Sequence, residues 1–326
     1  MIKKLKGRAV LKAGLVCLAT ASISWGAHAQ STKLDPPLWA YNPPSWPYLV
    51  GGKELPASDA PRTVPGSKRQ YTLKEINNLS NPPDWFPDEH APMPRVVRQG
   101  GGKGVLACAS CHLASGEGHP ESSHLSGLPE PYIVAQLENF RSGVRKDMFR
   151  MNDITRNLAD ADIRDAAAWF AALPVRKWTR VVEADEVPRS YMDGRLRIAL
   201  TTGEKESLGE RIVVLPEDNA QAISRNPKSG FVAYVPRGAV ARGQVLVTSG
   251  GGRTVACVAC HGAGLKGAGN IPRLAGTSPL YIARQLDAFR NGDRGGDASQ
   301  PMKPVVAALT ADDVLSISAY LASLDP

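Results

Sequence analysis

Cys108-Ala109-Ser110-Cys111-His112 and Cys257-Val258-Ala259-Cys260-His261 both read Cys-x-x-Cys-His. Two thiols at this spacing can add to the two vinyl groups of one porphyrin, and the adjacent imidazole then faces the iron from the same side. This is the attachment signal of a c-type haem. Two further thiol chemistries do not fit the surroundings. A thioredoxin-like pair sits between a strand and a helix in a βαβ unit, which is not legible here. A zinc ribbon keeps its cysteine pairs close, whereas 145 residues separate these. Simple disulfides would leave the histidine after each pair unexplained. Cys108, Cys111, His112, Cys257, Cys260 and His261 are therefore read as binding two covalently attached haem c groups, with iron held by the two histidines.

Outward from the motifs, the chain repeats itself. A shift of 149 residues lays Leu125-Ser-Gly127 on Leu274-Ala-Gly276, and Tyr132 to Gly143 on Tyr281 to Gly292. At a shift of 151, Met151 meets Met302, Leu158 meets Leu309 and Trp169 meets Tyr320. Both copies read as helical. Ile133, Leu137 and Phe140, and again Ile282, Leu286 and Phe289, recur at i, i+4, i+7, with a glycine to stop each helix. Closing helices are expected over about 162–173 and 311–324. Thr310 to Asp313 forms a capping box on the second, and Asp160 takes the cap on the first.

The repeat also selects the second axial ligands. Met302 is the only methionine after Met192 and lies in a loop ahead of the closing helix. A thioether is soft and favours Fe(II), so a His/Met pair raises the potential. Met151 is its partner in the first copy, where Met148, His119 and His124 are the other candidates. The ligating imidazole needs an acceptor for its other N–H; Pro272 is placed to offer a carbonyl to His261, and Ser123 to His112. Arg273, whose counterpart is His124, either approaches a haem propionate or stays on a solvated surface.

The remaining segments have their own compositions. Five of the 39 basic residues precede the apolar stretch 13–25, and Ala27-His28-Ala29 is a small-residue cleavage site. Residues 1–29 thus read as a signal peptide rather than an uncleaved anchor or a lipoprotein at Cys17. Localisation in the periplasm, soluble after cleavage, follows. Without the leader the charge falls from +8 to about +3, leaving no basic footprint for nucleic acid. Residues 30–95 hold 13 of the 26 prolines, with Trp39, Trp46 and Trp85 among them. They read as an arm packed over the first domain, or a docking element for a partner. The expected domains are 96–178 and 238–326, joined by a linker at 179–237 with a small hairpin from 211–215 and 231–235.

The two copies resemble class I cytochrome c domains, and the tandem is similar to the di-haem cytochromes of the c4 type. The residues that carry this are the two haem motifs, Leu274 to Gly276, Tyr281 to Gly292, and Met302 before a terminal helix ending at Tyr320-Leu-Ala-Ser-Leu324. About half the chain is covered. The resemblance implies a mainly α fold with two small helical domains, His/Met haems, and electron transport among redox proteins of the periplasm or membrane. A donor dehydrogenase or quinol-oxidising complex and an acceptor oxidase or another cytochrome are the implied partners. The arm, the β-containing linker, and His119 and His124 depart from that pattern.

Two six-coordinate irons leave no open position, so an electron carrier without a small-molecule substrate is the expected function. A peroxidase-like di-haem enzyme would need a displaceable ligand at the first haem, with Glu117 or Glu121 as acid/base. A cytochrome subunit of a dehydrogenase complex is the other alternative. A cysteine-ligated, thiosulfate-oxidising iron has no spare cysteine once Cys17 leaves with the signal peptide.

Overall fold

Helices at matching offsets frame the chain. The computed structural model describes residues 36–41, 60–102, 105–147, 149–193 and 196–326. The leader, Trp46 and Met148 lie outside them. After a short arm helix α1 (Leu73–Ile76), the first helical segment runs α2 (Arg95–Gln99), α3 (Ala109–His112), α4 (Glu130–Ser142), α5 (Met151–Arg156) and α6 (Asp160–Ala171). A β-rich insert follows, carrying β1 (Thr179–Glu183), β2 (Glu186–Pro188), β3 (Ser190–Asp193), β4 (Leu196–Ala199), β5 (Lys205–Ser207), β6 (Val213–Pro216), α7 (Asn219–Ile223) and β7 (Phe231–Val235). The second helical segment comprises α8 (Ala239–Ser249), α9 (Val258–His261), α10 (Pro279–Asn291), α11 (Met302–Val306) and α12 (Ala311–Ser323). Bounds of α3 and α9, and of α4 and α10, differ by 149 residues, and both long helices stop at a left-handed glycine, Gly143 and Gly292.

The insert is richer than a hairpin. β6 and β7 do pair antiparallel, from Val213–Tyr234 to Pro216–Phe231, but β1 adds to the other edge of β7 in parallel. β2–β5 and β3–β4 form separate antiparallel pairs. A parallel neighbour arriving from the far end of the insert leaves no local signature, which is why two β-branched runs read as a hairpin alone.

Each helical segment has its own apolar cluster, around Ile133, Ile163 and Phe170 in the first and Ile282, Phe289 and Ile317 in the second. A third cluster joins everything. Leu113 beside the first motif, Trp178 just before the insert, Ile212 and Phe231 within it, and Leu315 and Ala319 of α12 pack together. This explains why α12 is buried on nearly every side. It crosses α8 so closely that a Cβ on Gly243 would lie 2.0 Å from the Ser316 carbonyl oxygen.

The arm does not stay on the first segment. Leu38–Ala40 packs against α10, with Tyr41 Oη donating to Asp287 at 2.6 Å. Residues 60–90 carry a small core of Val64, Ile76, Trp85 and Phe86, pinned to the insert where Trp85 Nε1 donates to the Ser224 carbonyl at 2.8 Å. Prolines and tryptophans alone could not tell which surface they cover. The capping box at Thr310 and Asp313 is present, but α6 starts from Ala159 with no side-chain cap. Asp160 is engaged by Arg141 instead. No single helix among the described residues is long and apolar enough to cross a membrane.

Candidate haem sites

Both motif histidines are buried in the last turn of a four-residue helix and oriented in the same way. His112 Nδ1 donates to the Ser123 carbonyl and His261 Nδ1 to the Pro272 carbonyl, each at 2.8 Å and each eleven residues along the chain. That bond fixes the ring and leaves Nε2 as the ligand atom. Burial, opposed by this bond, makes both imidazoles harder to protonate, so they are held in the neutral form that a metal requires. Burial likewise pushes the Cys108 thiol up to about 12 and Cys257 to about 11. The second cysteines differ: Cys111 is half-buried and Cys260 exposed.

Cys108, Cys111, His112 and Met151 line one cavity, walled by Ile133, Leu137, Phe140, Ile154 and Phe170. Largely apolar walls with a few convergent polar groups are what a site for a large flat ring needs. Met151 is the first residue of α5, as Met302 is of α11. The loop before Met151 is latched by Asp147, whose Oδ2 accepts from the backbone N–H groups of Phe149, Arg150 and Met151 at 3.0, 2.8 and 3.0 Å. Around the second motif, Cys257 and Met302 border the same apolar cluster as Leu265, Phe289 and Val306.

Neither His119 nor His124 lines the first cavity. His119 Nε2 lies 3.4 Å from Arg225 of the insert, and both ring nitrogens of buried His124 lack a hydrogen-bond partner among the described residues. Glu121 does line the cavity, while Glu117 faces Ser126 and the Arg176 N–H. Arg273 is not on a solvated surface: it is buried, with Nη2 3.4 Å from the Ser126 carbonyl across the seam between the segments.

The seam also holds residues that the motifs did not point to. Arg145 donates to Gln136, Tyr281 and Gln285 at 2.6, 3.0 and 2.7 Å. Arg294 answers with Gln285 and Tyr132 at 2.9 and 2.8 Å, and the backbones of Arg145 and Arg294 pair antiparallel. Reading the repeat two residues past each stop glycine, to Gly143-Val-Arg145 and Gly292-Asp-Arg294, would have found them. Arg145, Arg273, Arg284 and Arg294 are all buried, and none makes an ion pair with a carboxylate among the described residues. Burial alone would raise the Tyr281 phenol, yet Arg145 and Arg294 outweigh it and bring it to about 8. Glu117 acts on Arg273, and Glu121 and Asp147 on Arg284, but without an ion pair such buried cations are costly. A group that brings its own carboxylates, as haem does, suits this seam.

A profile of the family described as Cytochrome c matches residues 240–325. The chain is 28% identical over 234 residues to a thiosulfate dehydrogenase electron acceptor of Stutzerimonas stutzeri, covering 71% of this chain and 85% of that protein. It is 26% identical over 225 residues to cytochrome c4 of Pseudomonas aeruginosa, covering 68% and 85%. Cytochrome c-554(548) of Halomonas halodenitrificans is 38% identical over 68 residues, which is 21% of this chain and 82% of that protein. The chain belongs to the cytochrome c family, with homology to the di-haem cytochromes c4, and its cofactor is covalently bound haem c.

Proposed function

We propose that this protein is a periplasmic di-haem electron carrier, with domains at 96–178 and 238–326 bridged by the 179–237 insert. Cys108, Cys111 and His112 hold one haem with Met151, and Cys257, Cys260 and His261 hold the other with Met302. The observation that carries this reading is the shared arrangement: a buried imidazole tied through Nδ1 to a carbonyl, and a methionine opening the helix before the closing helix, in both segments. When bound, haem supplies reversible one-electron chemistry. The chain's own groups do the rest. Nδ1 bonding raises the basicity of each ligating nitrogen. Apolar walls such as Phe140 and Phe170 exclude water, and the seam arginines offer cations to the haem carboxylates.

Its partners on this reading are redox proteins. The relatives named as thiosulfate dehydrogenase electron acceptors make a thiosulfate-oxidising enzyme the first donor to try. The measurement is the spectrum of the oxidised protein, where each methionine–iron bond gives a weak charge-transfer band at the red edge. Met302→Ala is expected to remove one of two such bands and leave the other. An unchanged spectrum would refute that ligand, and a high-spin signal in the unsubstituted protein would favour an enzyme.

A further inference from the structure

The two attachment motifs are alike in sequence and opposite in exposure. Ser110 is 2% exposed, whereas Ala259 at the matching position is open to solvent. Ala114 and His119 are buried, and their counterparts Ala263 and Ala268 are exposed. On the helix that leads in, Val96 is 1% exposed and Val245 is 54%.

Specific groups of the insert and arm make this difference. Arg225 Nη1 donates to the Ser110 carbonyl, and Trp178 Nε1 to the Gly118 carbonyl at 2.9 Å. Leu113 is absorbed into the core of the insert. From the arm, Leu79 accepts a bond from the Ala107 N–H at 3.1 Å. Nothing comparable covers residues 255–271 among the described residues, where Val255 and Ile271 remain 49% and 38% exposed beside exposed Cys260.

Charge follows the same division. Between Asp218 and Asp287 the chain contains eight basic residues and no acidic one. Of these, Arg253 and Lys266 flank the open motif. Arg253 is paired with Asp313, while exposed Lys266 donates to the Pro326 carbonyl oxygen and acts on nearby Asp325 without forming an ion pair with it. The open face is thus an apolar patch with a basic edge and no carboxylate in its own loop.

We propose that electron exchange with partners occurs at the second site, through docking of a redox protein on the face formed by Val255, Ala259, Cys260, Lys266 and Ile271. The insert and the arm close the matching face of the first site, which exchanges electrons by way of the second. The partner that fits is an electron-transfer protein whose own docking surface is apolar with a carboxylate rim. Apolar contact supplies the affinity, and the opposite charges speed and orient the encounter. This rests on the di-haem carrier reading above.

The test uses the holoprotein, with haem content of every variant measured first by pyridine haemochromogen. Reduced flavodoxin serves as an acidic one-electron donor in stopped-flow. Lys266→Glu is expected to slow the second-order reduction roughly three- to tenfold at low ionic strength, and less in high salt. Arg98→Glu, an exposed charge on α2 of the first segment, is expected to leave the rate within about twofold. In the unsubstituted protein, the anionic paramagnet hexacyanochromate(III) should broaden the amide signals of Val255, Ala259 and Ile271 and spare those of Ser110, Ala114 and His119. Equal slowing by both variants, an unaffected rate in Lys266→Glu, or broadening at Ser110 to His119 would overturn the proposal. Absence of attached haem would instead sink the carrier reading itself.

Discussion

Replacing Asp147 by alanine should loosen one methionine loop and leave the other intact. A single carboxylate oxygen accepts three consecutive N–H groups there, ending at Met151 itself. Loss of an ordinary capping side chain costs about 0.5–2 kcal/mol. Ionised acceptors lie toward the upper end, and Asp147 is half-buried, so about 1.5–2 kcal/mol is expected at this site. At 1.4 kcal/mol per factor of ten, the opened loop should become roughly 10- to 30-fold more populated. Among the described residues no carboxylate latches the Met302 loop in this way, and Gly296 or Ala298 stands where Asp147 does in the first, depending on the shift used. The assay is cyanide titration of the oxidised protein, resolving the two haems. One binding constant should strengthen by that 10- to 30-fold factor while the other stays fixed. Asp147→Asn, which keeps an acceptor oxygen, should fall between. Equal changes at both haems, or none at either, would show that Asp147 does not hold Met151 in place.

Two other substitutions probe the frame. Gly243→Ala would put a methyl group 2.0 Å from Ser316 O and 2.7 Å from Tyr320 Cβ. Neither contact can swing aside, so overpacking should exceed the gain in helix propensity and destabilise by about 2 kcal/mol, read as a lowered thermal midpoint. Glu117→Gln should do the opposite at neutral pH. Burial raises the Glu117 carboxyl above its usual 4.5, outweighing the help of Ser126 and Arg273. The folded state therefore holds a proton that the unfolded chain has released, and stability falls as pH rises above about 4.5. The glutamine keeps the acceptor for Ser126 and the Arg176 N–H but cannot ionise. Its advantage in denaturant melts should appear at pH 7 and vanish near pH 4; a constant difference would rule out ionisation as the cause.

The two haem motifs, the helices between them and Met302 were legible because each leaves a local mark: a fixed spacing, a 3.6-residue period, a stop glycine, a capping box. What escaped was set by contacts between distant parts. The pairing of Arg145 with Gln285 and Tyr281 spans over 130 residues. So does the path of the arm from α10 to the insert. The sequence leaves Arg273 between a haem propionate and a solvated surface, because an arginine in a loop is usually exposed. Only the opposing segment makes its site buried. His119 and His124 attracted attention through proximity in sequence to His112, yet the chain turns them away from the cavity.

The cluster joining Leu113 to Leu315 and Ala319 ties the first haem motif to nearly the last residues of the chain. Trp178, Phe231 and the strand β7, which pack with Leu113, share that cluster with α12. Among the described residues the second motif has no such wall. Packing around the first motif is therefore coupled to the C-terminal helix across about 200 residues of chain, from Leu113 to Leu315. Disturbing α12 should therefore be felt at the first motif, through Leu315 and Ala319, as well as in its own segment.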